Sequence, residues 1–173
     1  MHHNPTIYII MGVSGSGKTT IGRLLAAHLN CPFYDADDFH PAENVAKMAA
    51  GTPLNDDDRA PWLDRLHALI SQHLQAGETA VLACSALKKS YRDRLRGGLE
   101  DVRFIYLDGR FDLIWQRMQT RQNHYMKPEM LQSQFTTLEM PNEQEAHIIN
   151  IDQSTKAIIH EILNQINPIN PIN

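Results

Sequence analysis

Apolar residues recur along the chain with two different periods. Short apolar runs at residues 7–11, 32–35, 79–84, 102–107 and 147–151 have the length and flanking residues of buried strands. Helical spacing appears between most of them. Ile21, Leu24, Leu25, His28 and Leu29 mark one helix, residues 41–50 a short second one, and Trp62, Leu66, Leu69, Ile70 and His73 a longer amphipathic third. Residues 111–121 supply another, and Ile158, Ile159, Ile162, Leu163 and Ile166 form the face of the last. Strands alternating with helices predict an α/β fold with a mostly parallel five-stranded sheet between helical layers. The closing Asn-Pro-Ile-Asn-Pro-Ile-Asn cannot extend the last helix, because Pro168 and Pro171 lack the N–H that the ladder needs, so residues 167–173 are expected to be a flexible tail.

The most informative segment follows the first run. Residues 12–19 read Gly-Val-Ser-Gly-Ser-Gly-Lys-Thr, a complete phosphate-binding loop between a strand and a helix. Glycines let successive N–H groups converge on a polyphosphate, and the partial positive charge of the helix start favours an anion. Gly12, Val13, Ser14, Gly15, Ser16, Gly17, Lys18, Thr19 and Thr20 are therefore expected to bind a nucleoside triphosphate, with Lys18 on the β and γ phosphates and the Thr19 hydroxyl on magnesium.

Bulk properties narrow the partner. With 173 residues, 42% of them hydrophobic, the chain suits one domain. A net charge of −4 argues against nucleic acid as the main partner. No apolar run approaches the roughly 20 residues of a membrane span, which leaves a cytoplasmic protein as the expectation. Cys31 and Cys84 lack metal-ligand spacing and are expected to be buried thiols.

The run at 79–84 ends without an acid, and no Asn-Lys-x-Asp segment occurs, which counts against a GTPase switch. Acids follow the second strand instead, as Asp35-Ala36-Asp37-Asp38. Strand alternation puts Asp35 and Asp37 on one side, the alternative being a solvated turn or a helix cap. Arg59 after Asp56-Asp57-Asp58 and before Pro61 reads as a helix start capped by Asp57 or Asp58, with the arginine on the surface. Lys88, Lys89, Arg92, Arg94 and Arg96 read as a solvated helix face, because Asp93 interrupts them and no stacking aromatics accompany them beyond Tyr91.

Asp-x-Asp after the second strand of a short P-loop chain resembles the small-molecule kinases related to shikimate and adenylate kinases. Three further segments narrow the likeness: Asp37-Asp38-Phe39-His40-Pro41, Met48-Ala49-Ala50-Gly51-Thr52-Pro53-Leu54-Asn55-Asp56-Asp57-Asp58-Arg59-Ala60-Pro61-Trp62-Leu63, and Cys84-Ser85-Ala86-Leu87-Lys88-Lys89-Ser90-Tyr91-Arg92-Asp93. Together they resemble the gluconate kinases over residues 8 to about 151. That resemblance implies a three-layer P-loop kinase fold with a mobile lid at about 121–130, ATP and Mg2+ as cofactors, gluconate as acceptor, and a homodimer. It further implies Asp37 as proton acceptor, Asp35 as an aid to magnesium, and His40, Arg59 and Lys88 as substrate contacts, with Lys89 less firmly placed. Arg117 is implied to lie against the nucleotide and Arg121 to close over the phosphates, while a surface helix end carrying two cations is the alternative for that pair. His124 and Lys127 fall within the lid without an assigned role. Asp152-Gln153-Ser154 falls where the base lies in such kinases. The absent triple-glycine segment counts against shikimate as acceptor, and intact Lys18, Thr19, Asp37 and Arg121 count against a regulatory module that binds nucleotide without turnover.

Overall fold

The computed structural model describes residues 4–120 and 127–167. β1 (Ile7–Met11) runs into the glycine loop and α1 (Lys18–Leu29), which stops where Asn30 turns left-handed at φ 51°. β2 (Phe33–Asp35) is only three residues long, because the chain leaves it as a 3-10 turn over Ala36–Phe39. α2 (Ala42–Ala49) and the long α3 (Asp56–Gln75) follow, then β3 (Ala80–Ala83), α4 (Lys89–Arg96) and β4 (Val102–Asp108). α5 (Phe111–Gln119), α6 (Pro128–Thr137), β5 (Ala146–Asn150) and α7 (Thr155–Ile166) complete the described residues.

The strands lie in the order β2-β3-β1-β4-β5, and every pairing is parallel. Their alternation sorts the core into two layers. Ile7, Ile9, Leu82, Phe104 and Tyr106 face α3 and α4, where Trp62, Leu66, Ile70 and Leu95 meet them. Ile10, Val81, Ile105 and Ile149 face the other way, onto Leu25 of α1, Ile114 of α5 and Ile162 of α7. Burying each such large side chain contributes about 1.5–3 kcal/mol, so strands covered on both faces form the most stable part of the molecule. No described helix is long and apolar enough to cross a membrane.

Several expectations change in detail. Asp35 and Asp37 do not share a face through strand alternation; the Asp35 carboxylate accepts the Asp37 N–H at 3.1 Å and caps the 3-10 turn that carries Asp37. α3 is capped by Asn55, not by Asp57 or Asp58. Asn55 accepts from the Asp58 N–H at 2.8 Å, and Asp58 returns the favour to the Asn55 N–H at 3.1 Å. Residues 128–130, expected within the lid, open α6, whereas 121–126 lie outside the described residues. Cys84 is buried but Cys31 is only half-buried. Arg92 is not on a solvated face at all: it is 3% exposed.

Candidate active site

The carboxyl ends of the strands all meet one edge of the sheet, where open α/β folds bind ligands. There the glycine loop crosses from β1 to α1. Gly17 stands at the helix start with φ 99° and offers no side-chain cap, so the first-turn N–H groups of α1 face outward without intrahelical acceptors. Gly15 has φ 78°, and a Cβ there would meet Met118 Cγ at 2.6 Å; only glycine lets the loop lie this close to α5.

A cavity of about 210 Å³ opens beneath the loop, lined by Ser14, Gly15, Gly17, Lys18, Thr19 and Thr20 on one side and by Asp35, Asp37, Cys84 and Ser85 on the other. Gly12 and Val13 are buried at the start of the loop and do not line this cavity, and Ser16 is buried with no partner for its hydroxyl among the described residues. Lys18 Nζ curls back over the loop and donates to the Val13 carbonyl at 3.0 Å. Burial pushes the Lys18 ammonium below its ordinary pKa, against the pull of Asp37 and Asp35. Burial also pushes the Cys84 thiol up to about 12, which keeps it neutral beneath the site.

The Asp37 side chain is 87% exposed to solvent, yet it faces cleft walls that desolvate it. That desolvation, joined by the like charge of Asp35, raises its pKa above the usual carboxylate value despite His40 and Lys18. The Thr19 hydroxyl donates to Asp35 Oδ2 at 3.3 Å, which gathers two hard oxygen donors at the loop. Among the described residues no three His, Cys, Asp or Glu side chains cluster as a metal cage. An oxygen pair without a cage suits magnesium, which keeps several waters and takes phosphate oxygens as ligands.

His40 closes the 3-10 turn and stacks on Trp62 of α3, ring centroids 4.4 Å apart and planes 12° from parallel. Burial against the indole holds its pKa below 6.5, so it is neutral near pH 7. Trp62 Nε1 donates to the Ala36 carbonyl at 2.7 Å, so one side chain grips both the start and the end of the turn that presents Asp37. Beside it, Arg59 donates to the Leu54 carbonyl at 2.7 Å, and Lys88 stands at the start of α4. Lys89 instead turns to Asp93 at 2.7 Å, away from this wall.

Arg117 donates to the Ile151 carbonyl at 2.7 Å and lines a second cavity of about 280 Å³. Gln153, Ser154 and Thr155 form its far wall and Gly15, Ser16, Gly17 and Thr20 its near wall, so it continues directly from the phosphate loop. Arg121 and His124 lie outside the described residues, and Lys127 stands at the start of α6. Size alone would select a different place: a hollow of about 770 Å³ lies at the amino ends of the strands, among Thr6, Tyr8, Thr79, Arg103 and His147. That end of a parallel sheet presents neither a glycine loop nor a helix start.

Three contributors escape the sequence reading. Gln134 of α6 holds Ser14 twice, accepting its N–H at 2.6 Å and donating to its hydroxyl at 2.9 Å. Arg92 donates to the Ala86 and Leu87 carbonyls at 3.0 and 3.1 Å, and so braces the turn before Lys88, where Ala86 sits at φ 46°. Tyr91 lies between Arg59 and Lys88, its ring beneath both cations at 5.7 and 5.4 Å. Tyr91 and Arg92 both stand within the motif over residues 84–93, whereas Gln134 carries no sequence signal.

A family model described as Shikimate kinase matches residues 14–167. The chain is 45% identical to a probable gluconokinase of Mus musculus, over 92% of this chain and 96% of that one. It is 48% identical to the thermosensitive gluconokinase of Escherichia coli K12, over 91% of this chain and 81% of the relative. Among solved structures, that of a gluconokinase from Sinorhizobium meliloti superposes with a TM-score of 0.84 at 39% identity, covering 93% of this chain and 91% of that one.

Proposed function

Because the chain belongs to the gluconokinase family, within the shikimate kinase-like P-loop kinases, we infer that it transfers the γ-phosphoryl group of ATP to D-gluconate, giving 6-phosphogluconate and ADP. The observation that carries this reading is that the phosphate loop and the Asp37 turn share one cavity, with a wall carrying Arg59 and Lys88 beside it.

ATP binds with its polyphosphate along the loop and its nucleoside end toward Arg117 and residues 153–155. Lys18 leaves the Val13 carbonyl for the β and γ phosphates, where its charge offsets what develops in transfer. Asp37 orients the acceptor hydroxyl and takes its proton as the phosphoryl group arrives. A loose transition state asks more of position than of base strength, so a carboxylate suffices. His40, held neutral, contacts a sugar hydroxyl. Arg59 and Lys88 hold the acceptor's carboxylate, the arginine through its planar fork and the lysine as a point charge. Thr19 and Asp35 would hold magnesium, which when bound neutralises phosphate charge. Arg121, in a lid opening at about residue 121, closes over the phosphates and excludes water as a rival acceptor. One catalytic domain acting in the cytoplasm as a homodimer belongs to the same reading, and sedimentation equilibrium checks the dimer.

The test is an ADP-release assay with magnesium-ATP and a panel of gluconate, other aldonates, shikimate and glycerate, with Lys18→Ala as control. Saturable turnover with gluconate supports the reading. Turnover with another acceptor alone would overturn the substrate, and nucleotide binding without turnover on any acceptor would overturn the catalytic reading.

A further inference from the structure

Arg59 and Lys88 already face a carboxylate. Lys88 Nζ donates to both oxygens of Asp56 at 2.9 Å each, and the Tyr91 hydroxyl donates to Asp56 Oδ1. Arg59 comes within 4.0 Å of the same oxygen and donates to Tyr91 Oη at 3.4 Å. One carboxylate, on the first residue of α3, thus meets two cations and a hydroxyl, the set of partners that a sugar-acid carboxylate would need. Resting on the gluconokinase reading, we propose that Asp56 is an internal stand-in for the substrate carboxylate, neutralising Arg59 and Lys88 until the sugar acid displaces it.

Displacement is feasible on three grounds. The Asp56 side chain is 62% exposed, so it can rotate into water and be solvated there. Solvent screens the pair it gives up. The backbone beneath it need not move, because the reciprocal cap between Asn55 and Asp58 fixes the start of α3 without using the Asp56 side chain. Hydrogen bonds from Lys88 and Tyr91 hold the Asp56 carboxylate below the usual pKa range, Tyr91 contributing most, so it is charged at any pH at which the enzyme would work.

The stand-in also has a purpose. Two uncompensated cations beside a phosphate-transfer site would attract any small anion, including inorganic phosphate and sulfate. A resident carboxylate sets a threshold that a ligand clears only by replacing the charge contacts and adding hydroxyl contacts of its own. Selectivity then comes from a competitor built into the chain as well as from favourable contacts.

Asp56→Asn keeps the size and removes the charge, and Asp57→Asn, one residue on, removes an equal charge without touching Lys88. For Asp56→Asn the KM for gluconate is expected to fall about three- to fivefold, the range open to one solvent-exposed ion pair, with the change in KM rather than kcat. Inorganic sulfate becomes a competitive inhibitor against gluconate several-fold more potent than with the wild type, while Asp57→Asn moves neither quantity. A higher KM for gluconate would make Asp56 a substrate ligand and overturn the proposal, as would an unchanged KM and sulfate sensitivity. Wild-type turnover tests the gluconokinase reading separately. Should gluconate prove not to be the acceptor, calorimetric binding of sulfate to the wild type and to Asp56→Asn still decides whether Asp56 guards the cations.

Discussion

Trp62→Phe isolates the device that holds the Asp37 turn. The phenyl ring keeps most of the apolar contact but removes the indole N–H that reaches the Ala36 carbonyl at 2.7 Å, and it shortens the face on which His40 stacks at 4.4 Å. Loss of the buried hydrogen bond costs about 1–2 kcal/mol. Loss of part of the aromatic stack adds about 0.5–1 kcal/mol. The sum, roughly 1.5–3 kcal/mol, lowers Tm by about 3–12 °C for a domain of this size. Differential scanning calorimetry reads the stability, and steady-state kinetics read the consequence for catalysis. Because Trp62 grips both ends of the turn, the turn should loosen before the sheet does. A loosened turn misplaces Asp37, so kcat should fall about tenfold or more at 25 °C, well below the melting transition, while the KM for ATP barely moves. A Tm within 1–2 °C of wild type together with unchanged kcat would show that the turn is held by something else, and would refute the reasoning.

Three further outcomes test the site. Asp37→Asn should lower kcat by about 10²–10⁴-fold with ATP affinity retained by fluorescent-nucleotide titration, and near-wild-type kcat would remove it from the chemistry. The acid limb of kcat/KM should lie above 3.8, because Asp37 must be ionised and its pKa is raised by desolvation and by Asp35, so activity is lost as pH falls through that raised value; a limb at or below 3.8 contradicts the assignment. Gln134→Glu preserves an acceptor for the Ser14 N–H but adds a negative charge beside the phosphate loop, so the KM for ATP should rise roughly tenfold, an increase that Gln134→Ala should not match if charge is the cause.

Legibility in the sequence followed the distance over which each feature is made. The loop over residues 12–19 was readable because strand, glycines and helix are neighbours in the chain, and the inner strands β1, β3 and β4 were readable because parallel strands buried on both faces read as apolar runs, the edge strands β2 and β5 being found through partly exposed runs. Asp35 and Asp37 were grouped correctly by an argument that fails locally: the chain turns at Ala36, and a carboxylate cap, not alternation, brings the two acids together. α6 escaped because Leu131 is its only buried residue, too little for a period to show. Arg92 escaped for a different reason. A run reading Lys-Lys-Ser-Tyr-Arg-Asp-Arg-Leu-Arg looks solvated, and only the folded chain places the Ala86 and Leu87 carbonyls where a buried guanidinium can reach them. Asp56 and Tyr91 were visible as letters in a motif, but the bonds that Asp56 accepts from Lys88 and from Tyr91 span 32 and 35 residues and belong to the fold alone.

The strand order β2-β3-β1-β4-β5 divides the enzyme's labour in a way that bears on its descent. The proposed acceptor groups, from Asp37 to Lys88, hang from the β2 and β3 side of the central strand, whereas Arg117 and residues 153–155 belong to the β4 and β5 side. Only the phosphate loop is common property. On that proposed assignment, mutations that retune which alcohol is phosphorylated can accumulate on one flank without touching the proposed nucleotide flank. An inhibitor built to fill the acceptor flank would discriminate between such relatives, and one built for the other flank would strike them all.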